Sequence, residues 1–102
     1  MAERRYDIKA GDIVVSFKRE LLEKDILIAR PFKHIYRVIG EGFDTENQIS
    51  VVIYQPLDPT DSRDFGFFVR PKTMFYDRVD RQKYPDVKQE YRLQRIDIGV
   101  SL

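Results

Sequence analysis

Short runs of alternating apolar and polar residues, separated by turn-forming residues, occupy most of the chain. The five clearest runs are GDIVVSFK from Gly11, HIYRVIGEGF from His34, ISVVIYQPL from Ile49, DFGFFVRPKTMF from Asp64 and YRLQRIDI from Tyr91. Each run is rich in β-branched or aromatic residues, which is typical of a strand. The pattern predicts a mainly β protein, either a small barrel or a curled antiparallel sheet of about five strands.

Glycine and proline mark the ends and irregularities of these strands. Gly40 and Gly42, inside one run, predict a β-bulge or a close backbone approach. The polar stretch FDTENQ that follows is turn-like. Pro56 is expected to end the next strand because it has no N–H for the ladder. DPTDSRD, which comes after it, consists of turn formers and predicts a solvated loop.

Two stretches have helical character, so one or two short helical turns are expected. KRELLEKDILIA, residues 18–29, has apolar residues at helical spacing and must end before Pro31. KTMFYDRVDRQKY, residues 72–84, can hold a turn or two before Pro85. Asp80 is expected to cap a short turn there, and the whole 79–92 block is expected to have a structural role.

The densest stretch is DFGFFVRPKTMF, residues 64–75. Strand alternation in this stretch predicts that one face, made of Phe65, Phe67 and Val69, is core. Phe68 and Arg70 then share the other face, and Arg70 is expected at the mouth of the barrel. Two roles for Arg70 remain open: its guanidinium pairs with Asp77, Asp80 or backbone carbonyls, or it receives an anionic ligand group.

Composition limits the class of protein. The 102 residues indicate a single domain, 1–102, with a modest core. Apolar residues make up 42% and the net charge is only +1, which argues against a disordered chain and against a polybasic membrane or nucleic-acid binder. Residues 41–64 are mainly acidic and residues 70–95 mainly basic, and the two parts are expected to neutralise each other. We expect a cytoplasmic protein with no signal peptide and no membrane partner.

The sequence offers little for catalysis. There is no Cys, and His34 is the only histidine, so thiol chemistry and histidine-rich metal centres are excluded. His34 is expected to open a strand and hydrogen-bond locally. Asp58, Asp61 and Asp64 lack the spacing of a calcium loop. We therefore predict no enzyme, no catalytic residues, no metal and no cofactor.

Four segments together resemble a known family: YRVIG, VVIYQPL, VRPKTMF and VDRQKYPDVKQEYRLQRI. They resemble the bacterial domain of unknown function 1653 family, over roughly Ile8 to Ile96. Members carry a histidine in the turn between the second and third strands, whereas this chain reads Phe43 to Asn47 there without one. The resemblance implies a compact, cytoplasmic, SH3-like β fold. It implies no activity.

A non-catalytic binding role is therefore the leading hypothesis. The candidate ligand-binding residues are Arg70, Phe68, Tyr76, Tyr84 and Arg92. The preferred partner is a protein or peptide, because small barrels offer aromatic grooves between their loops, and a homodimer falls in the same class. The alternative is a nucleic acid, bound by tyrosines interleaved with Lys and Arg in the last third of the chain.

Overall fold

The protein contains one open antiparallel sheet, seen in a computed structural model that describes residues 8–97. Its strands are β1 (Ile13–Ser16), β2 (Ile35–Asp44), β3 (Ile49–Pro56), β4 (Phe68–Pro71) and β5 (Leu93–Arg95). They lie in the order β4-β3-β2-β1-β5. The mainly β prediction is confirmed, but the sheet does not close into a barrel, since β4 and β5 are its two edges.

Short helices occupy the connections. A 3₁₀ helix (Phe17–Leu21) and α1 (Lys24–Ala29) follow β1, α2 (Pro59–Phe65) follows β3, and α3 (Lys72–Phe75) follows β4. There is thus more helix than the one or two turns predicted. The stretch expected to form a single helix after β1 is divided, because Leu22 is extended and Glu23 begins a new helix as its N-cap.

The prediction of a solvated loop at 58–64 is wrong. Asp58 lies directly before α2 and its side chain accepts a hydrogen bond from the backbone N–H of Asp61, while Pro59 occupies the first helical position. An acidic N-cap followed by proline is a favourable helix start. Asp58 and Asp61 are both buried. The turn residues of this segment therefore begin a helix.

The β2–β3 hairpin has the predicted irregularities. Its register shifts between Val38 and Gly40, which is the expected bulge. The turn follows Asp44, whose carboxylate accepts the backbone N–H groups of Glu46 and Asn47. β3 ends at Pro56, as its missing N–H predicts.

One face of the sheet carries the main core. Its buried members are Ile8, Val14, Tyr36, Val38, Val52, Tyr54, Phe75, Tyr76 and Leu93. A smaller core lies beside it, where Phe17 packs with Val79, Val87 and the half-buried Tyr84. The 79–92 segment thus forms a second apolar cluster together with Phe17 of the 3₁₀ helix.

The face predicted for the 65–70 stretch is reversed. Phe67 and Val69 are 58% and 60% exposed, and Phe65 ends α2 with 63% exposure. Phe68 instead packs against the main core. The register explains this: Phe68 pairs with Tyr54, whose side chain is core, and Val69 pairs with Ile53 on the outer face. Alternation holds within β4 but not before it, because Phe65 lies in α2, and it does not state which face of the strand is buried.

The 79–92 block is held by polar contacts of its own. The Asp80 carboxylate accepts the N–H groups of Gln82 and Lys83, which confirms the predicted turn cap. The Arg81 guanidinium donates to the carbonyls of Val87 and Gln89. Beyond the block, β5 supplies the outer partner of β1.

Truncation after Val79 should therefore abolish cooperative unfolding. The shortened chain lacks Val87, Leu93 and the whole of β5. Both cores therefore lose members, and one edge of β1 is exposed. Urea unfolding followed by circular dichroism measures this. A sharp transition in the truncated protein would contradict a structural role for the segment.

Candidate anion-binding cleft

A cleft opens where the end of β1, the 3₁₀ helix, β4 and the 79–92 segment meet. Its inner cavity, about 80 Å³, is lined by Ser16, Phe17, Lys18, His34, Tyr36, Tyr54, Arg70, Arg92 and Leu93. Its outer cavity, about 240 Å³, is lined by Phe17, Lys18, Arg70, Asp80, Lys83, Tyr84 and Arg92. The two cavities share four residues, so they form one continuous cleft with an aromatic wall and a basic rim.

Arg70 enters the cleft from the edge strand β4. It lies two residues after Phe68, on the core-facing side, and its Nε donates to the Tyr54 hydroxyl at 3.2 Å. Within residues 8–97 no carboxylate forms a salt bridge with it. The predicted pairing with Asp77 or Asp80 is therefore wrong. Arg70 lines both cavities, and Asp80 is the one acid among the described residues that line them.

Arg92 and Lys18 lie on the opposite wall. The backbone of Arg92 is fixed twice: its N–H donates to the Asp77 carbonyl, and its own carbonyl accepts the Phe17 N–H. Its guanidinium is 3.7 Å from the Asp77 carboxylate, at the solvent side. The Lys18 N–H donates to the Ser16 hydroxyl, which holds the start of the 3₁₀ helix at the cavity.

His34 forms part of the cavity floor and has an unusual backbone. Its φ is 66°, in the left-handed region that non-glycine residues seldom adopt. Its Nδ1 lies 3.2 Å from the Tyr36 hydroxyl. The prediction of a local hydrogen bond at the start of a strand is confirmed, since β2 begins one residue later.

Burial and charge fix the protonation states of the floor. Burial, and then the cations Lys33 and Lys18, lower the pKa of His34, so its imidazole is neutral at pH 7. Burial raises the pKa of Tyr36 to about 12, so its hydroxyl keeps its proton. The floor therefore offers neutral groups that can donate hydrogen bonds, surrounded by fixed positive charge.

The charge balance of the cleft differs from that of the whole chain. The inner cavity is lined by three cations and no carboxylate. The outer cavity adds Lys83 and one acid, Asp80, which already accepts two backbone N–H groups. A chain with a net charge of +1 thus concentrates positive charge at one point. Low-dielectric walls strengthen such a field and favour an anionic ligand.

The structure brings together three of the five predicted ligand residues. Arg70, Tyr84 and Arg92 line the outer cavity. Phe68 lies behind it, edge-on to the rings of Tyr36 and Tyr54. Tyr76 is in the core, where its hydroxyl donates to the Ile8 carbonyl.

Sequence reasoning missed Lys18, Tyr36 and Tyr54. Nothing in their local sequence marks them as ligand-binding, since Lys18 follows a strand and the tyrosines occupy ordinary core positions. Lys83 is one of the cations in the last third of the chain on which the nucleic-acid alternative depends. These residues become a site because the fold places four distant segments around one cavity.

An apolar depression continues the cleft. It has a volume of about 260 Å³ and is lined by Glu20, Leu21, Lys83, Tyr84, Pro85, Asp86 and Val87. It shares Lys83 and Tyr84 with the outer cavity, and the Lys83 ammonium lies 5.5 Å from the Tyr84 ring centre. Along the 79–92 segment, the basic cavity is thus followed by a more apolar one, whose lining also includes the carboxylates of Glu20 and Asp86.

In the described part of the chain, no three acidic or histidine side chains are close enough to hold a metal ion. No helix among the described residues has the length and apolar character needed to cross a bilayer.

The fold and the cleft define a small, mainly β protein with a basic cavity beside an apolar groove. The chain belongs to a family described as "Protein of unknown function (DUF1653)", whose model matches residues 28–95, two thirds of its length. No curated protein and no solved structure is matched by the chain. The matched range begins at residue 28, after β1. Because β1 lies between β2 and β5, the sheet also uses a strand from outside the matched range.

Proposed function

We propose that this protein is a small, SH3-like, non-catalytic binding module of the bacterial cytoplasm, which recognises a protein or peptide carrying an anionic group. The observation that carries the proposal is the continuity of the cleft: a basic cavity, a cationic rim and an apolar depression share lining residues in series. A small inorganic anion would use only the first of these. A chain with an acidic group and a neighbouring apolar side chain would use all three.

An exposed aromatic side chain adds to the apolar surface near the cavity. Phe65 is 63% exposed, and its ring centre lies 5.8 Å from that of Phe68. Phe68 in turn packs on Tyr36 and Tyr54, which line the inner cavity. Exposed aromatic residues next to a polar pocket are typical of interaction surfaces.

A nucleic acid is less well supported as the partner. Single-strand binders present aromatic faces on which bases stack. Here Tyr76 is buried, and the Tyr84 ring packs against Phe17 with 4.9 Å between ring centres. Arg78 lies over Tyr91, 5.5 Å from its ring centre. The tyrosines predicted to form a stacking surface are therefore engaged within the protein.

Arg70→Gln should weaken binding of acidic peptides by about tenfold or more, because a charge-assisted hydrogen bond contributes about 1.5–3 kcal/mol. The measurement is fluorescence anisotropy with degenerate peptides that contain a central Asp or Glu. Arg37→Gln is the matched control, since Arg37 is exposed on β2 and lines neither cavity. It should bind as the parent does.

Two results would overturn the proposal. One is that the parent protein binds no peptide that carries an anionic group of any kind. The other is that a labelled single-stranded oligonucleotide binds more tightly than any peptide, with affinity that falls steeply as salt is raised. The second result would establish the nucleic-acid alternative.

A further inference from the structure

We infer that the inner cavity receives a phosphoryl group carried on a side chain of the protein partner, so that the ligand is a phosphopeptide. This inference rests on the proposed function and names the chemistry of its anionic group. It follows from the charge, the donors, the size and the surroundings of the cavity.

The charge of the lining matches a dianion better than a carboxylate. Lys18, Arg70 and Arg92 surround the inner cavity, and no acidic side chain lines it. Arg92 shares part of its charge with Asp77 at 3.7 Å. A bound carboxylate would neutralise one charge and leave the others close together. A phosphomonoester carries about −1.5 to −2 at pH 7 and balances them.

The donors around the cavity suit three phosphoryl oxygens. Two guanidiniums, from Arg70 and Arg92, approach from β4 and from the residue before β5. Guanidinium N–H groups pair with phosphate oxygens in a bidentate manner. The hydroxyls of Tyr36 and Tyr54 lie on the same lining, and the Tyr36 hydroxyl keeps its proton at pH 7. Charged donors at the mouth and neutral donors at the floor would surround one tetrahedral group.

The backbone of His34 is a second sign of a binding role. A non-glycine residue in the left-handed region has a cost in stability, and residues in such conformations cluster at ligand sites. Here that conformation, with φ 66°, places the imidazole on the cavity lining beside Tyr36. Because Nδ1 is paired with the Tyr36 hydroxyl, one group of this pair can donate to an oxyanion: Nε2–H when the hydroxyl donates to Nδ1, or the hydroxyl when Nδ1–H donates to it.

Cavity size separates a phosphomonoester from a nucleic-acid backbone. About 80 Å³ holds a few water molecules or one compact oxyanion. A phosphodiester carries a single charge, and because it has a sugar on each side, its phosphate cannot enter such a small cavity end-on. A terminal phosphoryl group can, and the chain that bears it would lie along the outer cavity. Its neighbouring apolar side chain would reach Leu21, Pro85 and Val87.

The test compares two degenerate peptide libraries with the full-length protein. They differ only at the central residue, which is phosphoserine in one and Glu in the other. Phenyl phosphate and benzoate, at constant ionic strength, provide the corresponding small probes. We expect the phosphoserine library to bind about tenfold or more tightly than the Glu library, which corresponds to 1.4 kcal/mol. The NMR signals of the Arg70 Nε–H and the His34 ring should shift on binding.

Each outcome decides a different point. Equal affinity for the two libraries would overturn the phosphoryl inference and leave the proposed function standing. Binding of phenyl phosphate without binding of either library would overturn the peptide-borne ligand. No binding of any probe would overturn both proposals. Arg92→Gln should lower phosphopeptide affinity about tenfold while Arg37→Gln has no effect, and signal mapping on the parent protein gives the same decision if Arg92→Gln fails to fold.

Discussion

Phe75→Ala should lower the free energy of unfolding by about 3–5 kcal/mol, which is the usual loss for a fully buried Phe. Phe75 is 0% exposed and lies at the centre of the main core. Its ring meets those of Tyr54 and Tyr76 edge-on, at 5.5 and 5.3 Å between centres. The expected loss combines the lost burial of the ring with the cavity that it leaves, since surrounding side chains relax only in part. Equilibrium urea unfolding measures the loss.

Phe67→Ala is the matched control for this prediction. The chemistry of the substitution is the same, but Phe67 is 58% exposed, so the change should be within about 1 kcal/mol. Sequence alternation had placed Phe67 in the core. A loss at Phe67 as large as that at Phe75 would contradict the exposed position of this side chain.

Asp58→Ala should be the next most damaging substitution, with a loss of about 3 kcal/mol, because it removes a helix cap and two charge-assisted hydrogen bonds from Arg30, which keeps only Asp61 as an acidic partner within residues 8–97. Asp58 is 2% exposed, and its carboxylate accepts hydrogen bonds from both Nε and a terminal nitrogen of Arg30. Asp61 accepts from Arg30 and from Lys33. These four side chains join the end of α1 to α2. The Arg30 side chain is one third exposed, so solvent weakens the pair. The expected loss is therefore at the lower end of the range of about 3–5 kcal/mol for breaking a fully buried ion pair.

Two variants separate the cap from the ion pair. Asp58→Asn keeps an N-cap acceptor but removes the charge, so it should lose less than Asp58→Ala and more than the control. Asp64→Ala is that control, because Asp64 forms an exposed pair with Arg63 and should change stability by less than about 1 kcal/mol. If all three variants unfold alike, the buried network has no special role.

Acid should remove the contribution of the ionised Asp58 carboxylate to the free energy of unfolding. The hydrogen bond from Arg30 holds the pKa of Asp58 below its usual value, so the folded state binds that proton less readily than the unfolded chain. Stability from this group is therefore complete above the unfolded pKa of about 3.9 and is lost as pH falls through the lower folded value. The difference in unfolding free energy between the parent and Asp58→Asn should be constant from pH 7 to about 5 and shrink below about 4. A difference that grows in acid would contradict this direction.

Local sequence determined the strands, the hairpin and the turns of this protein. The alternation of apolar and polar residues locates β1, β2 and β3, because this pattern is a property of consecutive residues and does not depend on distant parts of the chain. Gly40 marks the bulge and Pro56 the end of β3 for reasons of backbone chemistry that act within one or two residues. Asp80 caps its turn in the same way. These features did not depend on the rest of the fold.

Tertiary structure decided which faces are buried and where α2 forms. Alternation gives two faces to β4, and only its register with β3 makes Phe68 core and leaves Val69 exposed. The 58–64 segment has the composition of a loop, but burial of Asp58 against Arg30, 28 residues away, stabilises it as a helix start.

The cleft depended on tertiary structure most of all. Its cations come from positions 18, 70, 83 and 92, on four segments that are separate in sequence. The sequence showed only a net charge of +1, because this value is summed over the whole chain and does not tell which charges folding brings together. Arg70, Tyr84 and Arg92 could be proposed from residue type alone. Lys18, Tyr36 and Tyr54 could not, because they belong to the site only through the sheet that brings β1, β2 and β3 around one cavity.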